Sequence, residues 1–354
     1  MKKNYKKIAL WQTAFLGDAV LTLPLIKALS LRFPDAEIHL FVRKGVESLF
    51  AGQPELSGVH GFDKRGGQKG MGAARSYGAQ LGKQGFDLWI SAHTSMRSAV
   101  VSVSTGIPER IGYDSPWYNR FVYSQTVKRR FDDLEEVERL LALGEPLGIS
   151  GPAPEVMLEL PATRLSEAEY FFKDLGDVPV IGVHPGSTWE TKKWPEQNFA
   201  QVIDRCISEG FKVILFGGPD EKELCQSLLG RVEQADAVIN LAGKLGLQEL
   251  AAHIRQLDVY LTNDSGPMHI AWIQKVPVLA MFGPTVRKFG FFPRGEKSTV
   301  LESPDDLKCR PCGLHGGKSC PEKHHKCMTD ITTRMVWNEI LQKVRKGRGN
   351  DGNG

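Results

Sequence analysis

VPVIGVHPGSTWETKKWPEQNFAQVIDRCISEG, residues 178–210, decides the fold. It opens as a short β-branched run, breaks at Pro-Gly-Ser-Thr, carries two lysines, and continues into apolar residues at helical spacing. That order predicts a strand ending in a small-residue loop that hands over to a helix. FKVILFGG follows at 211–218, then helical DEKELCQSLLGRV, helical LQELAAHIRQ, LDVYLTND, helical GPMHIAWIQ and VPVLAMFG. Short β-rich runs alternating with helices predict a parallel sheet with crossover connections.

The same logic runs more faintly through the first half. KIALWQ, EIHLFV and FDLWISAH read as strands, with a helix from about Asp18 to Leu31, a helical GAARSYGAQLGKQ, and an amphipathic DDLEEVERLLALGEPLG. The Pro-rich GPAPEVMLELPATRLSE reads as a linker between the halves. The expectation is an α/β chain of two open units facing across a cleft, with a last helix at about 332–346 able to pack back over the boundary. A basic, Gly-rich tail from 347 to 354 is expected to be disordered.

The chain has 354 residues, 41% hydrophobic and 24% charged, with a formal net charge of +4. These values describe a globular protein and are too mildly basic to argue for nucleic acid. They suit an anionic ligand or contact with an acidic membrane surface. The N-terminus superficially resembles a signal peptide, but Asp18 interrupts its apolar stretch, and no run of 18 apolar residues occurs.

In open α/β sheets, ligands sit beyond the carboxyl ends of the strands, so polar residues just after each strand matter most. Gly186 allows close backbone approach, Ser187 and Thr188 offer donors, and Lys192 or Lys193 adds a cation: together an anion site. The alternative is an ordinary loop with solvated lysines. In TNDSGPMHIA, Asp264 or Ser265 fits an N-cap, Pro267 fits the first helical position, and Gly266 and His269 lie at the same mouth. Asp264 beside a phosphate would be repelled, which favours a cap or a sugar-hydroxyl acceptor; His269 is equally well a core histidine. Asp18, after the first strand, is either an N-cap or a general base. TAFLGD holds one glycine where a dinucleotide fingerprint needs three. GGKS at 316–319 fails as a P-loop because Cys312 stands where the first glycine belongs.

Cys206 and Cys225 sit in helical patterns as core thiols. Cys309, Cys312, Cys320 and Cys327 form C-x2-C-x7-C-x6-C, with His315, His324 and His325 nearby. Two readings stand: a structural zinc site, or a loop of reduced thiols near the cleft.

GDAVLTLP, HPGS…KKWP and NDSGPMHIA, in that order, resemble the family 9 glycosyltransferases, the ADP-heptose:lipopolysaccharide heptosyltransferases, from about residue 7 to 345. The stretch CRPC…CPEKHHKCM is most similar to the heptosyltransferase II subgroup. The resemblance implies a GT-B fold of two Rossmann-like domains, 1–165 for the acceptor and 166–330 for the nucleotide sugar, followed by a helix at 331–346. It implies inverting, metal-independent transfer of heptose from ADP-heptose to a heptosyl-Kdo-lipid A acceptor, without a cofactor. Asp18 matches the catalytic base, Ser187 and Thr188 the pyrophosphate pair, Lys192 the donor-phosphate lysine, Glu221 the ribose carboxylate, and Asp264, Ser265, Gly266 and His269 the donor loop. Lys193 can take the Lys192 role. Arg97 is the expected acceptor contact, with Lys64, Arg65 and Arg110 as further cations. A lipid acceptor implies a cytoplasmic enzyme in peripheral contact with the inner membrane. Competing readings are a GT-B transferase for another nucleotide sugar, a nucleotide-sugar epimerase or hydrolase, and a binding module without catalysis.

Overall fold

The computed structural model describes residues 3–349. The chain divides into two compact units, 1–160 and 161–354.

The first unit is a six-stranded parallel sheet in the order β3-β2-β1-β4-β5-β6. Its strands are β1 (Lys7–Gln12), β2 (Glu37–Arg43), β3 (Gly58–Phe62), β4 (Leu88–Ser91), β5 (Glu109–Tyr113) and β6 (Gln125–Val127). The central strand KIALWQ is buried from Ile8 onward, as a strand covered on both faces must be. Helices α1 (Leu16–Leu21), α2 (Leu23–Arg32), α3 (Met71–Gly82), α4 (Met96–Ser104) and α5 (Glu136–Ala142) connect or flank the strands. Trp11, Phe41, Phe62 and Trp89 form an aromatic core beneath α3 and α4.

The single helix expected from Asp18 to Leu31 is two helices that meet at Thr22. Pro24, in the first turn of α2, has no N–H for the carbonyl four residues back, so a continuous ladder cannot pass. The break leaves α1 as a six-residue turn whose third residue is Asp18.

The second unit mirrors the first, in the order β12-β11-β10-β7-β8-β9. Its strands are β7 (Val180–His184), β8 (Lys212–Leu215), β9 (Val238–Asn240), β10 (Val259–Asn263), β11 (Val278–Met281) and β12 (Ser298–Leu301). Its helices are α6 (Ala162–Lys173), α7 (Glu196–Ser208), α8 (Lys222–Leu229), α9 (Leu247–Arg255), α10 (Gly266–Ile273), α11 (Lys326–Thr329) and α12 (Thr333–Gly349). α6 begins inside the stretch that reads as linker and packs on α9. Cys206 and Cys225 are buried in this unit's core, and burial pushes both thiols up to about 12.

The apolar face of α12, with Val336, Trp337, Ile340 and Val344, is part of the second unit's core. Trp337 stacks on Phe211 at 6.0 Å and lies under the Arg205 guanidinium at 4.8 Å. The helix runs on to Gly349, so residues 347–349 are not the start of a disordered tail; residues 350–354 lie outside the described residues.

Candidate active site

Two clusters of polar residues form, each beyond the carboxyl ends of one sheet's central strands. In the second unit, β7 delivers His184 and the loop through Lys193. Asn263, the fully buried last residue of β10, pins both ends of that loop. Its Nδ2 donates to Pro185 O at 2.7 Å and its Oδ1 accepts from the Trp194 N–H at 3.0 Å. Trp194 in turn donates its indole N–H to Ile331 O at 2.8 Å.

Within the loop the adjacent lysines part. The Lys192 ammonium enters the site and lies 2.6 Å from Asp264 Oδ2 with little exposure of either side chain. Lys193 pairs with the exposed Glu190 at 2.6 Å. Asp264 does not cap α10; Ser265 holds the N-cap position without a side-chain cap bond, Gly266 is the first helical residue and Pro267 the second. Asp264 Oδ2 also accepts from Thr285 Oγ1 at 2.7 Å, and its carbonyl accepts from Ser187 Oγ at 3.4 Å. Thr188 is exposed beside the buried Ser187. The Ser265 hydroxyl lies 3.3 Å from His184 Nδ1. With no cap side chain on them, the first amides of α10 remain donors for an anion.

Glu221 closes one side of this cluster. Its Oε2 accepts from the Gly218 N–H at 2.7 Å and meets His184 Nε2 at 3.0 Å. Burial pushes this carboxyl up, but the His184 hydrogen bond and charge, the Gly218 N–H and Lys193 together outweigh burial and hold it at about 2. Gly186 is what lets the carboxylate in: a Cβ there would stand 1.9 Å from Glu221 Oε1. His269 is buried and its Nδ1 has no hydrogen-bond partner. Burial holds its pKa down at about 4, with Asp264 opposing and Lys192 reinforcing. It is therefore neutral at pH 7, with a buried ring nitrogen left unpaired.

The first unit's cluster is built around Asp18, whose carboxylate accepts from the Phe15 N–H at 3.1 Å. Burial, and then the negative charge of Glu136, push it up to about 6 against the pull of the Phe15 N–H and Arg129. Glu136 is buried against Arg139 at 2.7 Å and Arg129 at 3.3 Å. Tyr113 anchors the group by donating to Arg139 O at 2.9 Å. Around this carboxylate lie cations. Lys64 donates to Thr13 O at 2.9 Å, and Arg97 Nη1 reaches Lys64 O at 3.4 Å. Arg97 stands in the first turn of α4, which Ser95 caps by accepting from the Ser98 N–H. Its Nε is buried without a partner. Burial lowers the Lys64 pKa, and the nearby Arg43, Arg97 and Arg65 add to that. Arg110 does not belong here. It sits at the amino end of β5, the far end from Asp18, and its guanidinium is spent on Val122 O and Ile107 O.

The sequence reading passed over Asn263, Thr285, Arg310 and the Glu136 group. Thr285 follows β11 as Lys192 follows β7, and the rule that singles out residues after strands would have found it. Among the described residues, no group of three or more His, Cys, Asp or Glu side chains is placed to hold a metal ion. All six cysteines are free.

Residues 74–323 match the family model of glycosyltransferase family 9 (heptosyltransferase). Lipopolysaccharide heptosyltransferase 2 of Escherichia coli K12 is 28% identical over 350 residues, covering 94% of this chain and 97% of that protein. The crystal structure of a family 9 glycosyl transferase from Veillonella parvula matches with a TM-score of 0.86 at 24% identity, covering 98% of this chain and 99% of that one. The E. coli ADP-heptose lps heptosyltransferase II structure matches at 0.80 and 24% identity, covering 97% and 99%. Two parallel, doubly wound units of this kind define the GT-B class of glycosyltransferases. With the model spanning most of its length, the chain belongs to glycosyltransferase family 9 (heptosyltransferase).

Proposed function

We propose that this enzyme transfers heptose from ADP-heptose to the heptosyl-Kdo-lipid A inner core of lipopolysaccharide, with inversion at the anomeric carbon. The observation that carries the reading is the cluster after β7 and β10. There a nearly buried ammonium, a Ser-Thr loop and the uncapped amides of α10 converge, as a leaving diphosphate requires.

Asp18 takes the proton from the acceptor hydroxyl. The freed oxygen forms its bond to the anomeric carbon as the bond from that carbon to the ADP oxygen breaks. The charge that grows on the diphosphate is met by Lys192, Ser187, Thr188 and the amides at Gly266. Lys192 keeps two N–H donors beyond the one used on Asp264. Glu221, ionised at any working pH, accepts from ribose hydroxyls. Asp264 anchors Lys192, and His269 offers a neutral nitrogen to the sugar. Arg97 and Lys64 meet the anionic acceptor. This cradle supplies the charge stabilisation without a divalent ion.

Among the described residues, no helix is long and apolar enough to cross a membrane. The proposed acceptor is a lipid, so the enzyme works at the cytoplasmic face of the inner membrane through peripheral contact.

The deciding assay supplies ADP-heptose with Kdo-lipid A acceptors that carry or lack the first heptose, with and without EDTA. Transfer only to the heptosylated acceptor, unaffected by EDTA, with inverted configuration by NMR, is expected. Release of free heptose without acceptor at the transfer rate would sink the reading.

A further inference from the structure

Residues 309–327, the cysteine-rich stretch, fold back onto the short turn Glu190–Lys192 that presents the lysine. A three-residue 3-10 turn has little stability of its own, and lysine is among the most flexible of side chains. The turn is held from outside, at Thr191. Thr191 is buried, and its backbone N–H and its hydroxyl each donate to Gly317 O at 3.1 Å. The same hydroxyl accepts from the Gly317 N–H at 2.8 Å. Its carbonyl accepts from His325 Nε2 at 2.8 Å. Every polar group of Thr191 is thus bonded to one segment more than a hundred residues away.

That segment is itself anchored to the donor cluster. Arg310 donates to Phe282 O at 3.1 Å and Thr285 O at 3.0 Å, and pairs with Glu302 at 2.7 Å. The Cys312 N–H donates to Pro284 O at 3.0 Å. Cys327 and Met328 are buried against Gly283. Gly316 closes the contact, with φ +80 and no side chain. A Cβ there would stand 2.9 Å from Thr191 Oγ1 and 3.4 Å from Lys192 Cγ. The two glycines of the failed P-loop match are therefore used, one for close approach and one for hydrogen bonding.

We propose that Thr191, clamped by Gly317 and His325, is the positioning residue for Lys192, and that the cysteine-rich segment serves to hold the donor-phosphate lysine in place. This rests on the reading of Lys192 as the cation for the donor diphosphate.

Thr191→Val keeps the shape, removes the hydroxyl and strands the Gly317 N–H. It is expected to weaken ADP binding, read by calorimetry, by roughly tenfold, and to raise the donor KM in step. Thr191→Ser should return both to within about twofold of wild type. Lys192→Gln should mask the effect: the double variant Thr191→Val, Lys192→Gln should bind ADP about as Lys192→Gln does, since the two residues act as a unit. A merely structural threonine would lower Tm and leave ADP affinity alone. Unchanged ADP affinity in Thr191→Val, or effects that multiply in the double variant, overturn the proposal. If Thr191→Val does not fold, Gly316→Ala decides. Crowding Thr191 and the Lys192 stem should weaken ADP binding several-fold, and wild-type affinity there overturns the clamp. A wild-type protein that fails to bind ADP would count against the proposed function instead.

Discussion

The two sheets end in opposite electrostatic states. At the second, the Lys192 and Glu221 charges are already matched: Lys192 to Asp264, Glu221 to His184 and a backbone amide. At the first, Asp18 has backbone amides for its hydrogen-bond donors and a like charge in Glu136, while Arg97 keeps an unpartnered buried nitrogen. Under the proposed function the difference follows from two jobs. Stabilising a leaving diphosphate needs dipoles and cations fixed before the reaction, so that none must reorganise during it. Taking a proton needs a carboxylate that is held loosely enough to want one, with a pKa near the working pH.

The sharpest way to break this contrast is Asp18→Asn. It should lower kcat by roughly 10²- to 10⁴-fold. It should also raise Tm, because a raised folded-state pKa means the ionised carboxylate costs stability. The Tm gain over wild type should be absent near pH 4 and complete above about 6, where wild type carries the full charge. Activity close to wild type would remove Asp18 from the chemistry. Lys192→Gln comes next, with kcat lower by roughly 10²- to 10³-fold; an effect confined to Tm would reduce Lys192 to a structural ion pair. Gly186→Ala tests whether pre-pairing matters for donor binding. Its Cβ would displace Glu221, and roughly tenfold in donor KM is expected from overpacking of this kind. The mildest test is the pH profile. kcat/KM should fall by about half between pH 7.5 and 6, then tenfold per unit below. A limb near 4 would mean an unperturbed base and erase the contrast.

Legibility in the sequence followed burial. The strands that the sequence announces are central: KIALWQ, EIHLFV and LWIS in one sheet, VIGVH, KVIL, VYLTN and VLAM in the other. Those it hides lie toward the edges, where one side needs no partner and fewer apolar residues suffice. GVHGF, QTV, VIN and STVL are the four outermost strands; ERIGY lies one in from an edge, as EIHLFV, KVIL and VLAM do, and is hidden instead by Glu109 and Arg110 in so short a run. Site residues that follow a central strand were readable, because the topology alone directs them to the carboxyl end. Thr191, Asn263 and Arg310 were not, since their roles depend on partners brought together by tertiary folding. Glu136 and Arg139 were hidden for another reason. EEVER has the look of a solvated amphipathic helix, and nothing local reveals that this pair is buried.

The placement of α12 orders events in synthesis. All strands of the first sheet have been made by Val127, and its unit ends at Leu160. The second unit lacks a wall of its core until Trp337, Ile340 and Val344 emerge from the ribosome. Trp194, at the end of the lysine loop, also waits for the Ile331 carbonyl. The nascent chain therefore completes the Asp18 cluster long before the Lys192 cluster, and a chain stalled short of Val344 leaves the second unit's core open to chaperones and proteases.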